Sequence, residues 1–235
     1  AAQEASVVTD EGLRAYMLGV YNHMTIGMAI TGFFAYLTKI MSVTSEGMLT
    51  PFGAAIYTSP LKWLVMLAPL GMVFWLSAKV QTMKPETARN LFYAFAAIMG
   101  ISLSSLLLVF TGESVIRVFF LTAASFSALS IYGYTTKKNL TSLGSFLIMG
   151  LVGLILASIV NIFLASSAMQ FIISVVGVLI FAGLTAYDTQ RIKLMYMASD
   201  DRGTALKKSI MGALTLYLDF INMFIMLLQL LGNRE

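Results

Sequence analysis

The 235-residue sequence contains no cysteine, one histidine and four prolines, and only 11% of its residues are charged. Without cysteine the chain has no disulfide framework, no thiolate nucleophile and no cysteine-based metal site. A single histidine, His23, excludes a zinc or haem site built from several imidazoles. Ordinary soluble domains carry about 25% charged residues. The composition therefore excludes an ordinary soluble enzyme, and its low charge excludes a disordered protein.

Apolar side chains, by contrast, make up 58% of the sequence. A membrane-spanning helix needs about 20 mostly apolar residues, and seven such segments follow one another along the chain. They are predicted at 15–38, 61–79, 90–111, 116–135, 143–165, 168–190 and 209–231. We therefore predict an all-α membrane protein, in which residues 1–235 form a single seven-helix transmembrane domain with a short polar N-terminal segment, 1–12.

Two of the connections can be placed from polar residues and prolines. No charged residue occurs from Asn139 to Tyr187, a run that is too long for one helix. The small and polar residues from Ala165 to Gln170 are therefore predicted to form the turn between the fifth and sixth segments. Pro51 and Pro60 are predicted to lie in the loop between the first and second segments.

The basic residues indicate an orientation, because cytoplasmic loops of membrane proteins are enriched in Lys and Arg. With a cytoplasmic N-terminus, eleven of the fifteen basic residues fall on the cytoplasmic side. The other four are Lys39, Lys62, Arg117 and Arg234. This bias predicts a cytoplasmic N-terminus and an external C-terminus. The basic residues are scattered over short loops, so the net charge of +4 predicts contact with the lipid bilayer and not with nucleic acid.

Two carboxylates stand out inside the apolar segments. Asp188 lies near the end of the sixth segment, and Asp219 lies well inside the seventh. A carboxylate at the centre of a spanning helix costs about 2.5–3.5 kcal/mol on insertion scales, and such residues usually have a function. Gly203, in the predicted reversal between the two segments, is 15 residues from Asp188 and 16 from Asp219. Equal arm lengths would place the two carboxylates at the same depth.

If these carboxylates face each other, a low dielectric disfavours two negative charges, and the pair would share one proton. Such a pair can act as a pH-responsive switch, or as a weak calcium site when both groups are ionised. In a second interpretation, Asp188 pairs with Arg191 or Lys193 at the membrane interface, and Asp219 bonds to a neighbouring helix.

An intramembrane aspartyl protease also uses two aspartates on consecutive helices. That class requires Gly-x-Gly before the second aspartate, whereas Asp219 follows Leu216-Tyr217-Leu218. We therefore expect no enzymatic activity. Among the other polar residues, His23 could be a pH-sensitive group or a donor between helices. Asn161 and Asn222 are expected to bond between helices.

Several stretches of the sequence resemble a known family. They are Gly12-Leu13-Arg14-Ala15-Tyr16, Tyr132-Gly133-Tyr134-Thr135-Thr136-Lys137, Asn161-Ile162-Phe163, Gly183-Leu184-Thr185-Ala186-Tyr187-Asp188-Thr189-Gln190 and Leu216-Tyr217-Leu218-Asp219-Phe220-Ile221-Asn222. From about Gly12 to Asn233, the chain resembles the transmembrane Bax-inhibitor-motif family, and within it the bacterial YbhL- and YccA-type inner-membrane proteins.

This resemblance implies a seven-helix fold whose last helix is central and is surrounded by two layers of three helices. It also implies a pH-sensitive calcium leak in which a proton-sensing aspartate pair, here Asp188 and Asp219, controls the pore. Some members carry an acidic residue in the second helix and an arginine ten residues after the second aspartate, where this chain has Met66 and Gln229. Others carry an arginine cluster beside the first aspartate, where Lys79 is the nearby cation.

The sequence therefore predicts a pH-sensitive cation leak, with calcium as the cation, in a bacterial inner membrane. Asp188 and Asp219 would form the ion pathway, and no cofactor is expected. Possible supporting residues are His23, Lys79, Arg191 and Asn222. The alternative is a non-transporting stress regulator that binds a membrane AAA protease through the N-terminal segment and residues 191–208.

Overall fold

The computed structural model describes residues 2–234, with side chains from residue 11 onward. Nine helices account for most of the described chain. They are α1 (Ala2–Ser42), α2 (Pro51–Tyr57), α3 (Leu61–Lys79), α4 (Pro85–Leu103), α5 (Leu106–Val109), α6 (Gly112–Thr135), α7 (Thr141–Leu164), α8 (Ser167–Leu194) and α9 (Arg202–Leu231). Of the predicted polar segment 1–12, the side chains of residues 1–10 lie outside the described part of the chain.

Seven helical spans in the described part of the chain are long and apolar enough to cross a membrane. They are α1 from Glu11, α3, α4 continued by α5, and α6 to α9. The prediction of an all-α protein with seven spanning helices is therefore confirmed. Large apolar side chains lie on the outside, such as Phe163, which is 84% exposed. Lipid suits such a surface, whereas water would not. The predicted layers around the last helix stay a prediction.

Helix ends differ from the predicted segments where local hydrogen bonds decide them. The third predicted segment, 90–111, begins earlier, at Pro85, and is interrupted at Ser104 and Ser105. There the amide of Ser104 bonds to Ile101 and the amide of Leu107 bonds to Ser104, a tighter i→i+3 pattern. The seventh span begins at Arg202 and not at residue 209.

The connection between the fifth and sixth spans is shorter than predicted. It consists of Ala165 and Ser166, so the rest of the predicted turn, up to Gln170, is helical. Ala165 adopts a left-handed conformation with φ of 48°, and its amide bonds to the carbonyl of Asn161. This is a helix-ending geometry that usually selects glycine, and an alanine there carries no sequence signal for it.

The short helix α2 lies where only a loop was predicted, between the first two spans. The hydroxyl of Thr50 accepts a hydrogen bond from the amide of Gly53, and Pro51 occupies the first helical position. A threonine cap followed by proline is a typical start of a helix. Pro51 and Pro60 therefore lie between the first two spans as predicted, and the connection contains a short helix that was not predicted.

The chain divides into two compact units. The first contains the residues up to Phe110 together with Tyr196–Leu214, and the second contains Thr111–Met195 and Thr215–Arg234. The boundary between them falls inside α9, so this helix contributes its first part to one unit and the rest to the other. The prediction of a single domain stays a prediction.

In the second unit, α6 and α8 pack with their backbones in close approach. A Cβ atom on Gly133 would lie 2.2 Å from the carbonyl oxygen of Ala186, so no side chain fits at this position. One turn away, the buried hydroxyls of Ser130 and Thr189 are hydrogen-bonded at 2.9 Å. Small residues allow this approach, and it places α6 directly beside the segment of α8 that contains Asp188.

We predict that Gly133→Ala lowers the thermal stability of the purified protein, by about 1–3 kcal/mol as expected for overpacking. The new methyl group would have to displace the backbone at Ala186. Gly153→Ala, on α7, is the matched control, because nothing lies within 4 Å of its added Cβ. It should be neutral or slightly stabilising. Equal melting temperatures for the two variants in one detergent would contradict the close approach.

The first turn of α9 is capped by Asp201. Its Oδ2 accepts hydrogen bonds from the amides of Gly203 at 2.8 Å and Thr204 at 3.2 Å. The hydroxyl of Thr204 also donates to this carboxylate. These bonds, led by the Thr204 hydroxyl, hold the pKa of Asp201 below its ordinary value of 3.8. A carboxylate whose pKa is lowered by folding stabilises the fold above 3.8 and loses this effect as the pH falls through the lowered value.

Replacing Asp201 with alanine should therefore open the first turn of α9 at neutral pH. Hydrogen exchange at the amides of Gly203 and Thr204 should become several-fold faster, because these donors lose their acceptor. Asp201→Asn is the control, since an asparagine also caps helices and should keep most of the protection. The difference between alanine variant and wild type should persist at neutral pH and disappear well below pH 3.8. An unchanged exchange rate in the alanine variant would exclude the cap.

Candidate functional site: a buried carboxyl pair

The two predicted aspartates meet in the second unit. Asp188 lies on α8 and is 7% exposed, and Asp219 lies on α9 and is 5% exposed. Their carboxyl groups lie close enough to interact directly. A hydrogen bond between two carboxyl groups requires a proton on one of them, because two carboxylates have only acceptors. The structure thus contains the contact that can share a proton.

The surroundings of the pair offer little other polarity. The hydroxyls of Thr185 and Thr189 bond to backbone carbonyls four residues earlier on α8, so they are already satisfied. Beside Asp219, the ring of Phe220 packs against Phe119 and Phe126 of α6, with centroids 5.5 and 5.6 Å away. The pair is therefore held in an apolar contact between α6, α8 and α9, where charge is costly.

One oxygen of the pair has no hydrogen-bond donor. Oδ2 of Asp219 is buried and has no hydrogen-bond partner among the described residues. Burying an acceptor in this way costs about 1–3 kcal/mol. Such an orphaned oxygen is a ready acceptor for a proton or a ligand for a cation.

Arg191 is the nearby cation. Its Nη1 lies 3.6 Å from Oδ1 of Asp188, and its side chain is 52% exposed. Lys193, the other predicted partner of Asp188, instead donates to the carbonyl of Tyr134 at 2.8 Å and lies over that ring. Asp188 therefore contacts Asp219 on its buried side and Arg191 on its exposed side. The second sequence interpretation holds in part, since the ion pair exists but does not replace the carboxyl contact.

The remaining predicted residues have hydrogen bonds or exposure of their own. His23 and Tyr93 are hydrogen-bonded at 2.7 Å between α1 and α4, in the first unit. His23 is thus a partner between helices, one of its two predicted roles. Lys79 is exposed at the end of α3. Asn222 donates to the carbonyl of Leu218 in its own helix, so the expected bond to another helix is not what the structure shows.

The pair is a sparse metal site. Two carboxylates supply at most four oxygen atoms, whereas calcium takes six to eight oxygen ligands. Within the described side chains, no group of three or more His, Asp or Glu residues could hold a metal ion. The pair alone therefore falls short of a complete calcium coordination shell.

Sequence reasoning missed how Gln190 fixes the end of this site. Its Oε1 accepts the amide of Leu140 at 2.9 Å, and its Nε2 donates to the carbonyl of Lys138 at 2.8 Å. The segment before α7 is thereby attached to α8 two residues after Asp188. The sequence showed a polar residue, Gln190, two positions after Asp188. Its two hydrogen-bond partners could not be predicted, because they are about 50 residues away in the sequence.

We predict that Asp188→Ala destabilises the protein more than Arg191→Ala at neutral pH. The first change leaves Asp219 buried without its partner, at a cost of about 1–3 kcal/mol. The second removes a half-exposed ion pair, which is worth about 0–1 kcal/mol. Thermal unfolding of both variants in the same detergent measures the difference. A larger loss for Arg191→Ala would mean that Arg191 is the main partner of Asp188.

Comparison with known proteins places the chain in a family. Residues 13–235 match the family described as "Inhibitor of apoptosis-promoting Bax1". Inner membrane protein YbhL of Escherichia coli K12 is 42% identical over 226 residues, which cover 95% of this chain and 94% of that protein. An uncharacterized protein of Caulobacter vibrioides is 46% identical over 237 residues, 100% of this chain and 95% of that protein. An uncharacterized protein of Rickettsia prowazekii is 45% identical over 226 residues, 96% of this chain and 92% of that protein. The chain therefore belongs to the Bax inhibitor family of membrane proteins.

Proposed function

We propose that this chain is a pH-sensitive cation leak controlled by Asp188 and Asp219, with calcium as the cation. The observation that carries the proposal is the burial of the two carboxyl groups beside each other. No covalent chemistry, cofactor or resident metal takes part in this function. The cation and the proton are what the site exchanges.

The mechanism follows from charge balance in a low dielectric. While one proton is shared, the pair carries a single negative charge and the two helices are joined by the hydrogen bond. Loss of that proton leaves two negative charges in contact, which is unfavourable unless a cation enters. One calcium ion carries the charge that two carboxylates balance, so it can take the place of the proton. Oδ2 of Asp219, which accepts no hydrogen bond in the structure, would be one of the ligands of that ion.

Arg191 adjusts this exchange from the exposed side of the site. It competes with an incoming cation for Asp188 and repels it, but at 3.6 Å and half exposed it binds weakly. A weakly held cation leaves readily, as conduction requires. His23, Lys79 and Asn222 act in this proposal only through the helices that carry them.

We further propose that the chain lies in a bacterial inner membrane with its N-terminus in the cytoplasm and its C-terminus outside. The printed name of YbhL supports the membrane, and the excess of basic residues in the predicted cytoplasmic loops supports the orientation. Neither the family match nor that name favours the alternative of a regulator that binds a membrane AAA protease. Part of its predicted docking surface, the side chains of residues 1–10, lies outside the described residues.

The proposal is tested by calcium flux into proteoliposomes, scanned from about pH 5 to 8. Wild type should show a flux that changes with pH. Asp188→Asn and Asp219→Asn should each flatten the profile, because an amide keeps a hydrogen bond to the remaining carboxyl group but cannot exchange a proton. Glu113→Gln is the matched control, since Glu113 is an exposed carboxylate on α6.

The control should retain the wild-type profile, which separates the loss of the pair from the loss of any one charge. Thermal unfolding of each variant shows whether it is folded. Unchanged flux and pH profile in both aspartate variants would contradict the role of the pair. Absence of flux at every pH in folded wild type would contradict transport altogether.

A further inference from the structure

The connection between the first two spans, residues 43–60 in the first unit, presents apolar side chains at its surface. Five large apolar side chains in this connection and at the start of α3 are each at least 41% exposed. They belong to Met48, Leu49, Phe52, Leu61 and Trp63. No charged residue lies between Glu46 and Lys62. Contiguous apolar surface of this kind is unfavourable in water, so the connection differs from an ordinary polar loop.

The polar side chains of the same segment are bonded inside the protein. Four residues between 50 and 60 carry a hydroxyl, and each hydroxyl has a hydrogen-bond partner. They are Thr50, Tyr57, Thr58 and Ser59. Three of them donate to backbone carbonyls of α1 and α2, and that of Tyr57 is bonded to the hydroxyl of Ser104 at 2.7 Å. A segment whose polar groups are satisfied internally and whose apolar side chains are exposed suits lipid.

The helix α2 is packed against the end of α1. The amide of Thr50 donates to the carbonyl of Ser42 at 2.9 Å. A Cβ atom on Gly53 would lie 2.2 Å from the same carbonyl oxygen, so no side chain fits there. A helix of this length measures about 10 Å, whereas the hydrocarbon core is roughly 30 Å thick. The helix α2 therefore cannot cross the membrane, and it stays at the level where the first span ends.

The first turn of α3 marks the same level. Nζ of Lys62 lies 5.5 Å from the centroid of the Trp63 ring. Tryptophan is enriched at the membrane–water interface, and a lysine beside it can extend its amine toward water. Residues 58–60 alone separate α2 from α3. The short helix is therefore expected at the interface, beside the tryptophan.

The turn that precedes α2 is polar and provides a contrast. Ser45 and Glu46 are exposed, and Gly47 has a φ of 79°, a conformation that favours glycine. The backbone then returns antiparallel to itself, with Val43 paired to Leu49. The tip of this hairpin thus carries a charge, while the part that leads into α2 is apolar. This is the polarity of a segment that passes from water into lipid.

We propose that residues 48–63 anchor the first unit in the plane of the membrane, with α2 bound at the boundary between lipid headgroups and acyl chains. The occupant of the apolar surface is phospholipid, because this surface continues that of the adjoining spans, where Met41 and Leu64 are exposed. Zwitterionic lipid suffices, because Lys62 is the single charged residue of the segment. The proposal does not depend on transport.

The absence of cysteine from the sequence allows a direct test. Phe52→Cys and Glu46→Cys are reconstituted in phosphatidylcholine vesicles and treated from both faces with a charged, membrane-impermeant thiol reagent. Phe52→Cys should react at least about tenfold more slowly, because lipid excludes the reagent and disfavours the thiolate. Glu46→Cys is the matched control at the polar tip of the hairpin, and Leu49→Cys repeats the measurement at a second apolar position. In denaturing detergent all three should react at equal rates.

A second measurement distinguishes lipid from protein as the cover of this surface. Phe52→Trp and Glu46→Trp are made in a chain with Trp63→Phe and Trp75→Phe, which removes both native tryptophans. Lipid brominated near the glycerol end of its acyl chains should quench the emission of Phe52→Trp, and iodide in water should quench that of Glu46→Trp. Equal thiol reactivity at positions 52 and 46 in vesicles overturns the proposal. Emission of Phe52→Trp that neither brominated lipid nor iodide quenches also overturns it, and would identify a second copy of the chain as the cover.

Discussion

The second unit has to bury two carboxyl groups where water does not hydrate them, and much of its structure follows from that requirement. Asp188 and Asp219 are buried beside each other, and a shared proton would turn the repulsion between two carboxylates into a hydrogen bond. This contact requires α6, α8 and α9 to approach closely. Gly133 supplies the space at the carbonyl of Ala186, and a phenylalanine of α9 packs into α6 beside Asp219. A fold arranged around such a contact is sensitive to the charge of the pair by construction.

The other buried polar side chains of this unit follow the opposite rule, because they are neutral and hydrogen-bonded within the unit. Hydroxyls on α8 return to carbonyls of their own helix, and the amides at its far end bond to one another in sequence. Such groups add little cost inside a membrane, since every donor has an acceptor. The carboxyl pair is different, because its two groups can be hydrogen-bonded to each other only when one of them holds a proton.

The spans were predictable because hydropathy over about 20 residues is a strong local signal. The common depth of Asp188 and Asp219 could be predicted from their nearly equal sequence separations from Gly203, since the arms of a helical hairpin that are equal in length end at one depth. The weak contact of Arg191 with Asp188 could not be predicted. It depends on the 3.6 Å distance between Nη1 and Oδ1 and on the exposure of the arginine side chain. The hydrogen bonds that run from Asn161 through Gln170 to Gln229 could not be predicted either. The orientation of these side-chain amides is set by the backbone amide of Ser166, which donates to Asn161. The position of that amide depends on Ala165, which has a left-handed conformation.

The two ends of α8 are polar in different ways. Near its end, Asp188 carries a group whose charge depends on a proton, while its surroundings are apolar or already hydrogen-bonded. Near its start, Gln170 accepts a hydrogen bond from Asn161 and donates one to Gln229, so neutral amides join α7, α8 and α9 there. These amides keep their hydrogen bonds whatever the pH, because none of them titrates. If the carboxyl pair exchanges its proton as proposed, the contact between α8 and α9 can therefore respond at one end while the other end stays joined.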